Sequence, residues 1–131
     1  LLELPHNGPP PGSDKLAAWL LARNILPIIA HPERNKAIET DLSKLHPFLE
    51  MGCLLQLTAM SITNQFGERA YKTAHEILEQ DWATLVASDA HNAKSRPPIL
   101  SGAFELVSER YGAERAQRLF VDNPAIISNL A

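Results

Sequence analysis

The feature that most constrains the fold is an alternation of short apolar runs with segments of helical periodicity. The four runs are LLELP, ILPIIA, CLLQLTA and ATLVAS, at residues 1–5, 25–30, 53–59 and 83–88. The longest helical segment between them is NQFGERAYKTAHEILEQ, and beyond the last run only helical patterns remain. Short aliphatic runs are typical of parallel strands buried on both faces. Their alternation with helices predicts a parallel sheet that is covered by helices.

Two architectures satisfy this alternation. Four strands can form a small open sheet, or they can form one half of a barrel, for which eight strands is the usual closed number. In both architectures ligands bind at the carboxyl ends of the strands. Polar residues at the predicted strand ends favour the half-barrel. The expected fold class is therefore α/β with parallel βα units, and residues 1–131 are expected to form a single partial domain.

Local signals predict where several helices begin and divide. Ser13 or Asp14 is expected to cap the first helix. Pro47 is expected to kink or divide the helix after the second apolar run, because proline interrupts a helical hydrogen-bond ladder. Asn123 followed by Pro124 is expected to begin a separate last helix.

Polar side chains follow the predicted strands. Asp89 and His91 come after the fourth run and are two residues apart, so in an extended chain they lie on the same side. His31 leaves the second run in the same way. Carboxylate and imidazole groups at one sheet edge can bind a divalent metal ion, and this is favoured over an Asp89–His91 hydrogen bond that only closes a loop. Glu3 lies within the apolar first run, where either a metal ion or exposure at an edge would account for it.

Two arginines follow these metal-type motifs. Arg34 and Arg96 are predicted to hold phosphate, because a planar guanidinium offers two parallel hydrogen bonds to phosphoryl oxygens. Glu33 and Arg34 are expected together at the rim of the same crevice. The alternative for Arg34 is a salt bridge to Glu33 or to a nearby acid. His6 is predicted to face the substrate, with an ordinary loop histidine as an equal alternative.

The remaining informative residues point to a protein of the reducing cytoplasm. Cys53 is the one cysteine, which excludes an internal disulfide, and its surroundings predict a buried structural thiol. His46 and His75 are expected on helix surfaces, and Trp19 in the core or between helices.

The formal charge of -3 and the scattered basic residues argue against a nucleic-acid partner. No apolar run reaches the roughly 18 residues of a membrane span.

The motifs AHPERN and ASDAHNAKSRPP together resemble the PHP-domain protein-tyrosine phosphatases that are encoded with bacterial capsule and exopolysaccharide genes, the CpsB/YwqE type. LELP, LLQLTAMSITNQFGERA and NPAIISNL are also similar to that family, so the resemblance covers nearly the whole chain. It implies a distorted PHP-type (β/α)7 barrel. The chain would be the C-terminal half of that barrel, without the N-terminal half that carries a His-x-His strand and further ligands.

The same resemblance implies roles for individual residues. The implied metal ligands are Glu3, His31, Asp89 and His91, and the implied phosphate-binding residues are Arg34 and Arg96. The implied cofactors are divalent ions of the manganese or iron type, up to three in the complete protein. The implied reaction is hydrolysis of phosphotyrosine in a protein, with a bacterial tyrosine kinase as the expected partner.

Other functions stay open on the sequence alone. One alternative is another PHP phosphoesterase, acting on a small phosphate such as histidinol phosphate. The other is a binding module or fragment without activity. Four candidate ligands do not complete a three-metal cluster, so residues 1–131 alone are expected to be inactive. The open side of the sheet is expected to be covered by further residues of the protein, by a second polypeptide or by self-association.

Overall fold

The computed structural model describes residues 1–5, 8, 11–90 and 100–129. Within them three strands form one parallel sheet in the order β1-β2-β3. The strands are β1 (Ile28–Ala30), β2 (Leu54–Thr58) and β3 (Leu85–Ala87). In the register of the sheet Ile29 lies opposite Leu55, and Leu57 lies opposite Val86. The second, third and fourth apolar runs therefore contain parallel strands, as the sequence predicts.

The first apolar run forms only one bridge to this sheet. Leu2 N–H donates to Ile28 O at 2.7 Å, and Ala30 N–H donates to Leu2 O at 2.9 Å. These bonds define a parallel bridge between Leu2 and Ile29. The prediction of a full strand over residues 1–5 is therefore wrong, although the segment does run along β1.

Helices and turns make up most of the rest of the described chain. The α-helices are α1 (Ser13–Leu21), α2 (Lys36–Thr40), α3 (His46–Glu50), α4 (Ala59–Ile62), α5 (Glu68–Glu79), α6 (Ser101–Tyr111), α7 (Ala113–Gln117) and α8 (Asn123–Asn129). Two 3₁₀ turns cover Pro32–Arg34 and Leu42–Leu45. A π-helical turn covers Arg118–Asp122 and joins α7 to α8. Among these helices, none has the length and apolar character needed to cross a bilayer.

The start of α1 differs from the sequence prediction. Its N-cap is Gly12, with φ +91°, which makes no side-chain capping hydrogen bond. Ser13 and Asp14 are already helical, so neither caps the helix. Glycine adopts this left-handed conformation without steric cost. Pro47, by contrast, lies in the first turn of α3, after a separate 3₁₀ turn, which confirms the predicted division.

The last helices form one continuous run in place of two separated ones. Asn123 has helical dihedral angles, φ −64° and ψ −45°, so it is not an N-cap. Its Nδ2 donates to Thr84 O at 2.7 Å and thereby ties this run to the segment before β3. The preceding π-helical turn interrupts the ordinary hydrogen-bond ladder, which accommodates the missing N–H of Pro124.

One hydrophobic core fills the space between the sheet and the helices. Fully burying one of its aliphatic side chains stabilises a fold by roughly 1.5–3 kcal/mol. The core includes Ile29, Ile38, Leu55, Leu57, Ile62, Ile77, Leu78, Val107 and Leu119. Cys53 is buried in it, and burial raises the pKa of its thiol, as suits a structural residue. The sequence predicts a packed Trp19, but this residue is 51% exposed, with the Arg23 guanidinium 3.7 Å from its ring centroid.

His75 is buried, which corrects its predicted surface position. Its Nε2 is 3.1 Å from Ile62 O, and its Nδ1 is 2.5 Å from the Tyr111 hydroxyl. Because a carbonyl only accepts, Nε2 carries the proton and Nδ1 accepts from the tyrosine. One imidazole therefore joins α5 to α4 and α6. Burial lowers the pKa of His75, while the bond to Ile62 acts in the opposite direction. His46 is exposed, as predicted.

We expect the contribution of His75 to the free energy of unfolding to fall as the pH drops below about 6.5. The unfolded chain protonates His75 near its ordinary pKa of about 6.5, whereas burial in the folded state lowers that pKa. This contribution is fully present above that pH and is lost progressively below it. Urea unfolding at a series of pH values measures it. His75→Gln should flatten the curve, and the exposed control His46→Gln should not. A His75→Gln curve parallel to wild type would contradict the assignment.

Candidate active site

The candidate site lies where β1 and β3 end. His31 follows β1 directly and Asp89 comes two residues after β3, and both have left-handed backbones, with φ +36° and +50°. His31 N–H still donates to Gln56 O at 2.7 Å, so the sheet holds its backbone. Non-glycine residues adopt this conformation at a cost, and such strain clusters at functional sites. The three other described non-glycine residues with positive φ lie in turns after helices: Asn24, Asn64 and Asp81.

Glu3 lies beside His31. Oε1 of Glu3 is 3.8 Å from Nε2 of His31, and the exposed fractions of their side chains are 66% and 16%. Because the Glu3 side chain is mostly exposed, its carboxylate does not pay the free-energy cost of burying an unpaired charge. The distance nevertheless leaves a carboxylate and an imidazole close enough to bind one divalent ion.

Asn35 attaches the Glu3 segment to the AHPERN motif. Its Oδ1 accepts from the N–H groups of Ala37 and Ile38, at 3.1 and 3.3 Å, and so caps α2. Its Nδ2 donates to Pro5 O at 2.7 Å. This buried side chain was not singled out from the sequence, although an asparagine before a short helical segment is an N-cap signal.

We expect Asn35→Ala to destabilise the protein by about 1–3 kcal/mol, because it removes an N-cap and one further hydrogen bond. Asn35→Asp is the matched control, since a carboxylate can still cap α2 but cannot donate to Pro5 O. The control should keep most of the stability and show faster amide exchange at Leu2. Chemical unfolding and hydrogen exchange measure the two effects. Equal stability of Asn35→Ala and wild type would refute the capping role.

Arg34 lies between an acid and an aromatic ring. Its Nη1 is 3.5 Å from Oδ2 of Asp89, and both side chains are 20% exposed. Its Cζ is 4.1 Å from the centroid of the Phe66 ring. Among the ion pairs of the described residues, Arg34 pairs with Asp89 and not with Glu33. The alternative of a salt bridge to a nearby acid is thus realised, and it joins the ends of β1 and β3.

Glu33 is fully buried and does not lie at the rim of a crevice, which corrects the sequence prediction. Its carboxyl oxygens accept from Thr58 N–H at 3.3 and 3.4 Å. Burial raises the pKa of this carboxyl well above its usual range, while the Thr58 bond and the Arg34 charge act in the opposite direction. The Thr58 hydroxyl is also buried and has no hydrogen-bond partner within the described residues. The ends of β1 and β2 thus enclose a polar interior.

Three predicted site residues lie outside the described residues: His6, His91 and Arg96. Among the residues that the structure describes, no group of three or more His, Cys, Asp or Glu side chains is arranged to hold a metal ion. Three described side chains carry donors that fit part of a ligand set for a divalent ion. They are Glu3 and His31, which lie 3.8 Å apart, and Asp89, which pairs with Arg34.

The sequence matches known proteins over most of its length. Residues 15–129 match the family described as capsular polysaccharide synthesis, CpsB/CapC. The tyrosine-protein phosphatase CpsB of Streptococcus pneumoniae is 39% identical over 110 residues, which cover 80% of this chain and 45% of that protein. The tyrosine-protein phosphatase YwqE of Bacillus subtilis is 30% identical over 129 residues, or 98% of this chain and 51% of YwqE. The chain spans about half the length of the curated relatives it matches.

The fold has a solved counterpart. A chain from the crystal structures of YwqE from Bacillus subtilis and CpsB from Streptococcus pneumoniae, described as unique metal-dependent tyrosine phosphatases, matches with a TM-score of 0.84 and 32% identity. The match covers 88% of this chain and 47% of that one. Sequence and fold therefore both match this family over most of the chain. The chain belongs to the CpsB/CapC family.

Proposed function

We propose that the protein containing this chain is a metal-dependent protein-tyrosine phosphatase of capsular or exopolysaccharide synthesis. The observation that carries the proposal is the meeting of His31, Asp89 and Arg34 at the carboxyl edge of a parallel sheet. Metal-type donors beside a guanidinium suit the chemistry of a phosphate ester. Membership of the CpsB/CapC family supports it, as do relatives named tyrosine-protein phosphatases.

The proposed ligands of the metal ions are Glu3, His31, Asp89 and His91. Their oxygen and nitrogen donors suit divalent ions of the manganese or iron type, up to three in the complete protein. A divalent ion bound there would supply an activated water and stabilise negative charge on the phosphoryl group. The separation of 3.8 Å between Glu3 and His31 supports their place in one ligand set.

In this proposal two arginines bind and orient the phosphate. Arg34 and Arg96 donate to the phosphoryl oxygens and stabilise the charge that develops on them in the transition state. The Arg34–Asp89 separation of 3.5 Å exceeds the ~2.9 Å limit of a typical charge-assisted hydrogen bond, so the guanidinium is not locked onto the carboxylate. His6 is proposed to contact the substrate.

A tyrosine phenolate as leaving group and a buried Cys53 thiol are both consistent with metal-dependent hydrolysis of phosphotyrosine. A tyrosine hydroxyl has a pKa of about 10, so phenolate leaves more readily than an aliphatic alkoxide and needs less help from a general acid. A cysteine-dependent phosphatase needs a thiol of lowered pKa in a phosphate-binding loop. The Cys53 thiol is buried and burial raises its pKa, so it takes no part in the reaction.

We further propose that the three parallel strands are part of a distorted PHP-type (β/α)7 barrel. The match to 47% of the longer solved chain supports this placement. The proposed protein acts in the cytoplasm on a phosphotyrosine protein, with a bacterial tyrosine kinase as the substrate or partner. Residues 1–131 as an isolated polypeptide are proposed to be one partial domain with little catalysis of their own.

A comparison of substrates tests the proposed function. The complete protein should hydrolyse a phosphotyrosine peptide with a higher kcat/KM than histidinol phosphate. A chelator should abolish the activity and added Mn²⁺ should restore it. Preference for histidinol phosphate would establish a small-molecule phosphoesterase instead. Hydrolysis of neither substrate by the metal-loaded protein would favour a binding module.

A further inference from the structure

Phe66 lies on the turn between α4 and α5, next to Arg34. Gln65 N–H donates to Met60 O at 2.7 Å, which closes this turn on one side of Phe66. Gly67, with φ +96°, follows directly and is the N-cap of α5. The backbone on both sides of the aromatic residue is thus fixed by local structure.

The ring and the guanidinium are in cation–π contact. Cζ of Arg34 is 4.1 Å from the centroid of the Phe66 ring, well within the ~6 Å range of this interaction. At this distance the flat side of the guanidinium can stack on the negative face of the ring. The N–H donors of arginine point outward in the guanidinium plane, so a stacked contact occupies none of them.

Asp89 cannot orient the Arg34 guanidinium in the same way as the ring of Phe66. A carboxylate interacts with the N–H edge of a guanidinium, which is the edge that a phosphate would also bind. Asp89 at 3.5 Å therefore competes with a phosphate for Arg34, whereas the ring of Phe66 does not.

We propose that Phe66 is a positioning residue that fixes the plane of Arg34 before phosphate binds. The inference rests on the proposed function of Arg34 as a phosphate-binding residue. An arginine side chain has several rotatable bonds, and holding it in the bound orientation reduces the freedom that is lost on binding. With the ring in place, the donor edge of the guanidinium stays available at the carboxyl edge of the sheet.

The test compares Phe66→Leu with Phe66→Tyr in the complete, metal-loaded protein. Leucine keeps an apolar side chain without an aromatic face, and tyrosine keeps the face. We expect Phe66→Leu to lower kcat/KM for a phosphotyrosine peptide by about 3- to 30-fold. The inhibition constant of inorganic phosphate should rise by a similar factor, because the same guanidinium binds it. Phe66→Tyr should stay within about threefold of wild type on both measures.

Nuclear magnetic resonance gives a readout that is independent of activity. The aromatic ring should shift the side-chain proton signals of Arg34 upfield in wild type and in Phe66→Tyr. The shift should disappear in Phe66→Leu. Equal losses of activity in Phe66→Leu and Phe66→Tyr would show a packing role and overturn the proposal.

The variant Arg34→Ala distinguishes a failure of the positioning role of Phe66 from a failure of the phosphate-binding role of Arg34. An inactive Arg34→Ala together with a fully active Phe66→Leu would overturn the positioning role and leave the phosphatase proposal standing. A fully active Arg34→Ala would overturn the phosphate-binding role itself, and the inference about Phe66 with it.

Discussion

Arg34→Ala and Arg96→Ala should each lower the kcat/KM of the complete protein for a phosphotyrosine peptide by about 100- to 1000-fold. The reason is that each guanidinium is proposed to stabilise charge that develops on the phosphoryl oxygens. Arg34 already lies at the carboxyl edge of the sheet, 3.5 Å from Asp89. Because neither arginine is a metal ligand, the metal content per chain should stay nearly unchanged. Steady-state kinetics combined with metal analysis measures both quantities.

A surface arginine provides the control for these variants. Arg23 is exposed and lies over the ring of Trp19, on a different part of the described chain from the candidate site. Arg23→Ala should therefore retain wild-type activity. Wild-type turnover by both Arg34→Ala and Arg96→Ala would refute their role in phosphate binding.

Replacing a metal ligand should remove both metal and activity. His31→Ala, Asp89→Asn and His91→Ala are each expected to lower the metal content, and the rate should fall by more than about 100-fold. The loss of a residue that only supports a ligand already costs 10- to 100-fold, so the loss of the ligand itself should cost more. Metal analysis of the purified variants checks the first effect, and peptide hydrolysis checks the second.

The exposed histidine His46 supplies the matched control for the histidine ligands. It lies in the first turn of α3, with its ring in edge contact with Trp82. His46→Ala should keep both metal and activity. An unchanged metal stoichiometry and rate in His91→Ala would remove that residue from the ligand set.

The alternation of apolar runs and helices was sufficient to predict the parallel strands and the edge at which polar residues meet. His31 and Asp89 were predictable because each directly follows a buried run, and the carboxyl ends of parallel strands lie at one edge. The pairing of the first run was less predictable. Its bridge at Leu2 depends on hydrogen bonds to β1 that no local pattern specifies.

The buried polar residues show what local sequence does not determine. Glu33 is enclosed because Thr58 N–H, 25 positions away in the sequence, meets its carboxyl group. His75 is enclosed because the Ile62 carbonyl and the Tyr111 hydroxyl bind its two ring nitrogens. Charged and polar residues of this kind are usually exposed, and only partners brought together by the tertiary fold allow their burial.

Anomalous scattering from crystals of the complete protein, grown with its metal and inorganic phosphate, tests whether metal and phosphate bind at the carboxyl edge of the sheet. We expect metal peaks at the carboxyl edge of the sheet, with His31 and His91 nitrogens and Asp89 oxygens at about 2.0–2.2 Å. We also expect phosphate oxygens to accept hydrogen bonds from Arg34. Metal peaks elsewhere in an active enzyme, with none at His31 and Asp89, would contradict the proposed metal site.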